Sequence, residues 1–328
     1  MKILVTGAGG FIGGHLVSSL LRKKHKVICA DIKPIKNWFQ IFKQSKNYSL
    51  DLSNLKNCLK LTKNIDYVFN LACNMGGMGF IENNKADCML SVLINTNLLN
   101  ASRINKVKRY LFTSSACVYN SKKQNKSNIP GLKEGDAYPA DPEDGYGWEK
   151  LFSERMCRHF EEDYGLEVRI VRLHNVYGPK GTYSGGREKA PAALCRKIAQ
   201  AKITENEEIT VWGDGKQTRS FMYIDDCVTG ILKVFSSKFS KPINLGSSEQ
   251  VSINHMIKLI EKISNIKTKK KYLMHKPKGV RGRSSDNTLI KKVLKWEPRT
   301  KLYKGLGLTY KWIFNQILNN KKANKFTK

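Results

Sequence analysis

Seven residues between the first apolar run and the first amphipathic stretch limit what this chain can become. Gly7-Ala8-Gly9-Gly10-Phe11-Ile12-Gly13 follows Ile3-Leu4-Val5 directly, with glycines at positions 7, 10 and 13. A strand that turns straight into a helix needs a residue without a Cβ at the turn. A second glycine lets the backbone approach another group closely, and a third lets the helix pack on the strand. The helix start then presents free N–H groups to an anion such as a pyrophosphate. By itself the pattern also serves as a plain strand-to-helix connection, so its surroundings decide.

Those surroundings alternate. Residues 3–6, 26–31, 67–71, 110–114 and 168–172 are short apolar or β-branched runs that predict strands, and residues 11–23, 81–104 and 150–164 predict helices. Strict alternation implies right-handed crossovers and an α/β fold with a Rossmann-type, doubly wound parallel sheet. After Pro179 the pattern loosens into a glycine-rich loop, a helix at 191–201 and short strands, which predicts a smaller α/β substrate-binding lobe. The runs at 221–224 and 243–245 are expected to return to the first sheet. The expected division is therefore a nucleotide-binding domain over 1–173 with return segments near 218–248, a second lobe over 174–317, and a basic tail over 318–328.

Asp31 ends the second predicted strand, 18 residues after Gly13. A carboxylate there accepts hydrogen bonds from a ribose 2′-hydroxyl and repels a 2′-phosphate, so NAD is the expected cofactor rather than NADP. Gly7, Gly10, Phe11, Ile12, Gly13 and Asp31 form the expected cradle. Asp51 and Leu52 either lie under the adenine ring or begin the next helix as an ordinary cap.

The chain of 328 residues, 41% of them apolar, can bury a large core. No apolar run approaches the roughly 20 residues that span a bilayer, and no signal peptide is legible at the start, so the expected address is the cytoplasm. The eight cysteines are scattered with no metal-ligand spacing, so neither a disulfide framework nor a metal is expected. Lys and Arg number 58 against 27 acidic residues, a formal charge of +31. The lysines are dispersed rather than gathered, which reads as compositional drift; a membrane or nucleic-acid partner is not expected, although the field favours anionic substrates.

Tyr146-Gly147-Trp148-Glu149-Lys150 sets a phenol and an ammonium four residues apart at a helix start, on one face. A lysine there lowers the phenol pKa and makes it a usable base. Ser114-Ser115-Ala116-Cys117, at the end of a strand some thirty residues earlier, offers a hydroxyl to share the same proton. Cys117 and Lys189, taken singly, read as a buried apolar thiol and a solvated amine.

The glycine turn, Asn70-Leu71-Ala72, the Ser115 region and the Tyr146/Lys150 pair resemble the extended short-chain dehydrogenases that epimerise or dehydrate nucleotide sugars. Further segments resemble, within that superfamily, the GDP-mannose 3,5-epimerases over residues 1–317. They are Met75-Gly76-Gly77-Met78-Gly79-Phe80, Arg172-Leu173-His174-Asn175-Val176-Tyr177-Gly178-Pro179, Gly185-Gly186-Arg187-Glu188-Lys189-Ala190-Pro191, Trp212-Gly213-Asp214-Gly215 with Gln217-Thr218-Arg219, and Gly279-Val280-Arg281-Gly282-Arg283. The resemblance implies oxidation at C4 of a GDP-mannose ring by NAD, with Tyr146 as base, Lys150 as its tuner and Ser115 beside them. Cys117 and Lys189 would then invert C3 and C5 as base and acid. Leu71, Ala72, Tyr146 and Lys150 would join the cofactor set. Gly79, Ser115, Asn175, Glu188, Lys189, Lys197, Gln217, Arg219 and Arg283 would hold substrate, the two arginines as pyrophosphate and sugar anchors. It also implies a homodimer through the helices at 81–104 and 150–164.

Cys73 and Asn120 depart from the superfamily pattern and are expected to lie clear of the acid/base set. Two alternatives stay open: a nucleotide-sugar 4-epimerase or 4,6-dehydratase with the same NAD machinery, and a catalytically silent NAD-sensing regulator whose basic surface binds nucleic acid. A dehydratase would carry an acidic pair where Ala116-Cys117 stand, and a regulator has no reason to keep Ser115, Tyr146 and Lys150.

Overall fold

The computed structural model describes residues 1–319, so nearly all of the basic tail expected at 318–328 lies outside the described residues. β1 (Lys2–Thr6) leads through the glycine turn into α1 (Phe11–Arg22), followed by β2 (Lys26–Asp31), β3 (Lys46–Ser49), α2 (Leu55–Thr62) and β4 (Tyr67–Asn70). Then come α3 (Met78–Asn83), α4 (Lys85–Met89), α5 (Ser91–Ile104), β5 (Arg109–Ser115), α6 (Asp144–Tyr164) and β6 (Glu167–Leu173). The second half runs β7 (Asn175–Tyr177), α7 (Ala190–Thr204), β8 (Glu208–Trp212), β9 (Thr218–Tyr223), α8 (Ile224–Ser236), β10 (Ile243–Leu245) and β11 (Gln250–Ser252). It closes with α9 (Ile253–Ser264), β12 (Lys269–Leu273), β13 (Gly282–Arg283), α10 (Thr288–Leu294) and α11 (Leu302–Leu318).

Seven strands form one sheet in the order β10-β6-β5-β4-β1-β2-β3, and every neighbouring pair is parallel. Both faces are covered. Ile3 and Val5 of β1 pack with Leu16, Val17 and Leu20 of α1 and with Val234 and Phe235 of α8. Leu4, between them, faces Val68, Tyr110 and Phe112 on neighbouring strands and Leu98 and Leu99 of α5. Burial on alternate faces explains why these strands read as continuous apolar runs. The first of the two cores continues without a break through Ile198 of α7 and Ile257 of α9 to Ile313 of α11, so the second lobe shares its interior with the first.

Four expectations change. β3 was not anticipated: its Lys-Asn-Tyr-Ser sequence is polar because it is an edge strand with one neighbour. The predicted helix over 81–104 is three helices, broken at Asn84, whose φ of −136° and ψ of 48° are not helical, and again at Leu90. The last helix of the first half begins at Asp144 rather than 150, which puts Tyr146 in its first turn. The run at 221–224 does not return to the main sheet. It ends β9, which pairs with β7, β11 and β13 in a second sheet, and it is the following helix α8 that packs back on α1. β10, by contrast, joins β6 in the main sheet as the sequence implied.

α6 is tied to that sheet by charge. Glu154 on α6 receives a two-pronged pair of hydrogen bonds from Arg172 of β6, Nε at 2.8 Å and Nη2 at 2.7 Å, and a third from the Ser114 hydroxyl of β5 at 2.5 Å. Arg172 Nη1 completes the set on the Glu134 carbonyl. Both side chains are buried; burial alone would lower the guanidinium pKa, but the Glu154 carboxylate outweighs it and the net direction is upward. Removing one partner strands the other in a dry interior. Glu154→Ala is therefore expected to cost about 3–5 kcal/mol in urea unfolding; a loss below about 1 kcal/mol, the level of an exposed pair, would show that the fork does not anchor α6.

Candidate active site

β1 and β4 are neighbours where the strand order reverses, and α/β sheets bind ligands beyond the carboxyl ends of strands at such a point. Here the glycine turn meets the end of β4. Gly7 has a φ of +66°, and a Cβ on it would lie 2.7 Å from the Leu71 carbonyl oxygen; a Cβ on Gly13 would lie 2.1 Å from the Gly7 oxygen. Only glycine fits either place. Gly10 caps α1 without a side chain, which leaves the N–H groups of Phe11, Ile12 and Gly13 without intrahelical acceptors. The resulting concavity suits a dinucleotide pyrophosphate, and Leu71 and Ala72 form its far wall.

Asp31 ends β2, is buried, and accepts the Lys33 N–H at 3.0 Å. Leu50 N–H bonds to the Asp31 carbonyl, which keeps Asp51 and Leu52 beside that strand end. Asp51 is exposed and accepts from the Ser53 N–H and hydroxyl, whereas Leu52 is in the core. The cap of α2 is Asn54, which accepts from Lys56 N–H, so the alternative reading of Asp51 as a helix cap is corrected.

At the carboxyl end of β5 the chain tightens into a single turn, residues Ala116–Val118, packed on the start of α6. The Cys117 N–H donates to Ser115 Oγ at 3.2 Å, and the Cys117 carbonyl accepts the Glu143 N–H at 3.1 Å. That carbonyl comes so close to α6 that a Cβ on Gly147 would lie 2.4 Å from it. Tyr146, one residue earlier, is buried and hydrogen-bonded to Ser115. Lys150 is one helical turn on, with its ammonium 4.8 Å from the Phe112 ring centre and 5.7 Å from that of Tyr146.

The electrostatics differ from expectation. Burial pushes the Tyr146 phenol well above its usual value, neighbouring Cys73, Cys117 and Glu149 push the same way, and the Ser115 hydrogen bond opposes them. The Lys150 ammonium lies 3.5 Å from Glu149 Oε2 and is hydrogen-bonded to Cys73. Burial alone would depress Lys150, but Cys73 and Glu149 outweigh it and the net direction is upward. Cys73, expected to lie clear of the acid/base set, hydrogen-bonds to Tyr146 as well. Asn120 does lie clear, accepting from Lys122 N–H and donating to the Pro139 carbonyl.

The second half of the chain supplies the opposite wall. Lys189, half-buried just ahead of α7, faces Cys117, Cys73 and Cys227, and burial pushes its ammonium down. Arg219 of β9 donates to the carbonyls of Thr218, Lys278 and Val280. Burial, with Arg283 close by, lowers it to about 10. Arg283 of β13 is buried against Glu143, Gln124 and Cys117. Ser115, Cys117, Tyr146, Lys150, Lys189, Arg219 and Arg283 thus converge.

The remaining expected substrate ligands are engaged within the protein. Lys197 donates to the Thr210 carbonyl and hydroxyl, Asn175 to the Ser220 carbonyl and Gln217 to the Trp212 carbonyl. Glu188 accepts from Gly186 N–H and pairs with Arg196, bracing the loop that carries Lys189. Gly79 lies against Trp212. Of these, the buried Gln217 carbonyl oxygen lacks a partner. Sequence reasoning missed Glu143 and Glu149, and misplaced Cys73. The first two lie close to Tyr146 in the chain, but no spacing marks them as buried partners.

A family model described as the NAD dependent epimerase/dehydratase family matches residues 3–246. GDP-mannose 3,5-epimerase of Arabidopsis thaliana is 47% identical over 324 residues, covering 98% of this chain and 84% of that protein. GDP-mannose 3,5-epimerase 1 of Oryza sativa subsp. japonica is 48% identical over 322 residues, with the same 98% and 84% coverage. Among solved structures, UDP-glucose 4-epimerase with UDP-glucose from Thermotoga maritima is similar with a TM-score of 0.87 at 26% identity, over 97% of this chain and 100% of that one. UDP-glucuronic acid 4-epimerase from Bacillus cereus, in complex with UDP-glucuronic acid and NAD, has a TM-score of 0.81 at 29% identity over 97% and 100%.

The position of Asp31 makes a test of the cradle. NAD is expected to bind at least about tenfold more tightly than NADP, the scale of one hydrogen bond to a charged group, and Asp31→Ser should remove most of the difference in calorimetric titration. Equal affinities in the parent protein would refute the role given to this carboxylate.

Proposed function

The chain belongs to the NAD dependent epimerase/dehydratase family, and from that premise we propose that it inverts C3 and C5 of GDP-mannose, giving GDP-L-galactose through a transient 4-ketone. The observation that carries this reading is the second acid/base pair. Cys117 and Lys189 come within reach of each other's charge beside the hydroxyls of Tyr146 and Ser115, whereas an enzyme that only oxidises and reduces C4 has no use for them.

A sugar C–H is not acidic until a carbonyl stands next to it. NAD, which the glycine turn, Asp31, Leu71 and Ala72 would hold, would supply that chemistry as a reversible hydride acceptor at C4. Tyr146 serves as base for the C4 hydroxyl proton in its phenolate form, which the Ser115 hydrogen bond favours against burial, while Lys150, braced by Glu149, fixes the geometry. With the ketone in place, the protons on C3 and C5 are within the range of side-chain bases. Cys117 removes a proton from one face and Lys189 delivers one to the other. Burial favours the uncharged form of Lys189, which suits an amine that gives up a proton and takes one back. Arg219, whose hydrogen-bond partners are all carbonyls, keeps its charge for a diphosphate. The division of labour follows: residues 1–173 hold the cofactor and the C4 chemistry, and residues 174–317 bring Lys189 and the arginines to it.

Assembly and location are part of the same proposal. Met89, Leu90 and Leu93 lie exposed around the start of α5, and Trp148 and Phe152, 47% and 56% exposed, line one face of α6. Such a stripe on two packed helices fits a homodimer through a four-helix interface. All eight cysteines are free, which supports a reducing compartment, the cytoplasm. Among the described residues no helix is long and apolar enough to cross a membrane.

Two predictions follow from this chemistry and assembly. In deuterated buffer, Tyr146→Phe is expected to abolish every activity. Cys117→Ser or Lys189→Ala should keep NAD and C4 oxidation but lose solvent deuterium at C3 and C5 by about 10²- to 10⁴-fold; unchanged exchange in both would remove the two-base mechanism. Sedimentation at micromolar concentration should give a dimer, and Phe152→Glu a monomer. A monomeric parent protein would refute the interface.

A further inference from the structure

Lys189 reaches the site from a loop with little stiffness of its own. Gly185 and Gly186 both have a φ of +89°, a conformation that residues with a Cβ rarely adopt, and Lys189 itself stands outside helical geometry at the head of α7. One side of the loop is tied to α7, where Glu188 accepts the Gly186 N–H at 2.7 Å and pairs with Arg196. The other side meets the cofactor domain through Arg187. Its Nη1 donates to Asn74 Oδ1 at 3.0 Å and to the Met75 carbonyl at 3.1 Å, and its guanidinium lies 3.7 Å from the Phe80 ring centre. The Arg187 carbonyl in turn accepts the Gly77 N–H at 3.0 Å. The two segments touch so closely that a Cβ on Gly77 would lie 2.4 Å from the Glu188 carbonyl oxygen.

We propose that Arg187 is a positioning residue for Lys189: it latches the loop at 185–189 to the segment at 74–80, so that the amine is held in register with Tyr146 and Lys150. This rests on the reading of Lys189 as an acid/base group. The link is short at both ends. Lys189 lies two residues beyond Arg187. Asn74 follows Cys73, which hydrogen-bonds to Tyr146 and Lys150, and the Asn74 N–H is itself fixed on Ser91 Oγ of α5 at 2.8 Å. Lysine carries its amine on a flexible four-carbon stem, so the backbone that bears it must be fixed from outside. A displacement of about 1 Å at an acid/base group can cost on the order of 10²-fold in rate. Arg187 is exposed, so its removal leaves neither a cavity nor a stranded buried charge, and the effect falls on the chemistry rather than on the fold. A guanidinium suits the task because one flat group donates in its plane to two oxygens and stacks on a ring, which an ammonium cannot do.

The test uses the NAD-loaded protein. Amide hydrogen exchange, read by mass spectrometry on peptides covering 74–80 and 184–190, should rise about tenfold in both for Arg187→Ala, the worth of one lost hydrogen bond, with the peptide covering 150–164 unchanged. In deuterated buffer with saturating GDP-mannose, the same variant should lose about 10- to 100-fold of the deuterium entering C3 and C5. Reduction of the bound NAD in a single turnover should keep the parent rate, and KM should move little. Arg187→Lys, which keeps the charge but not the stacked plane, should recover only part of the loss. Asn74→Asp gives the guanidinium a carboxylate without altering the packing, and it should slow exchange in both peptides; unchanged exchange there counts against the latch even if Arg187→Ala folds poorly. Parent-rate exchange in both peptides of Arg187→Ala, or loosened peptides with full deuterium incorporation, would overturn the proposal. So would a loss confined to NAD affinity, because Lys33, two residues from Asp31, lies within reach of the Arg187 charge and a direct contact with the cofactor would give that result. Full deuterium incorporation in Lys189→Ala would instead overturn the reading of Lys189, and the hydrogen-exchange comparison would still decide whether the two segments are latched.

Discussion

The buried fork between Arg172 and Glu154 is the contact on which the site depends. It joins three elements that are far apart in sequence: β6 gives the guanidinium, α6 the carboxylate and β5 the Ser114 hydroxyl. Taking two ions out of water is costly, and attraction compensates only where the remaining lone pairs and protons also find partners. Here Ser114 and the Glu134 carbonyl supply them. What the fork secures is register. Ser115 and Cys117 follow within three residues of Ser114, and Tyr146 and Lys150 lie on the same helix as Glu154, so one pair sets the relation between the two halves of the proposed proton relay.

Around that relay the protein concentrates groups that would ordinarily be kept apart. Lys150 is enclosed with Glu149, Cys73 and the Phe112 ring. Glu149 gives its other oxygen to Ser153. The carboxylate thus balances a buried ammonium rather than lying in solvent. On the far wall, Lys189 and Arg219 are both pushed down by burial, with Arg283 adding to the effect. A pocket arranged in this way is unfavourable when empty of anions and favourable when a diphosphate occupies it. The overall charge of +31 adds a long-range attraction, but it is these few buried cations that give the attraction an address.

The second lobe is less separate than its looser sequence suggests. Its helices α7, α9 and α11 bury their apolar faces in the same core as β1 and α1, and α8 returns to cover the first sheet. Lys189, Arg219 and Arg283 are therefore held on elements packed rigidly against the cofactor domain. Groups proposed to reach opposite faces of one ring need that shared packing more than a lobe of their own.

Much of this was legible in the chain itself. The glycine turn, the parallel order of strands, Asp31 at a strand end and the Tyr146/Lys150 pair all follow from local rules: a Cβ that does not fit, a repeat of two or of 3.6 residues, an offset of four along a helix. Resemblance added Cys117 and Lys189, which spacing could not. Tertiary structure alone decided what surrounds each group: that Cys73 touches both Tyr146 and Lys150, that burial raises the Tyr146 phenol against the expected pull of Lys150, that Lys197 is taken up by Thr210, and that Arg283 turns to a sulfur 166 residues away. The physical reason is one of range. Periodicity and turn chemistry act over a few residues and are written in order along the chain, whereas dielectric, hydrogen-bond partners and charge balance are set by residues brought together only when the sheet closes.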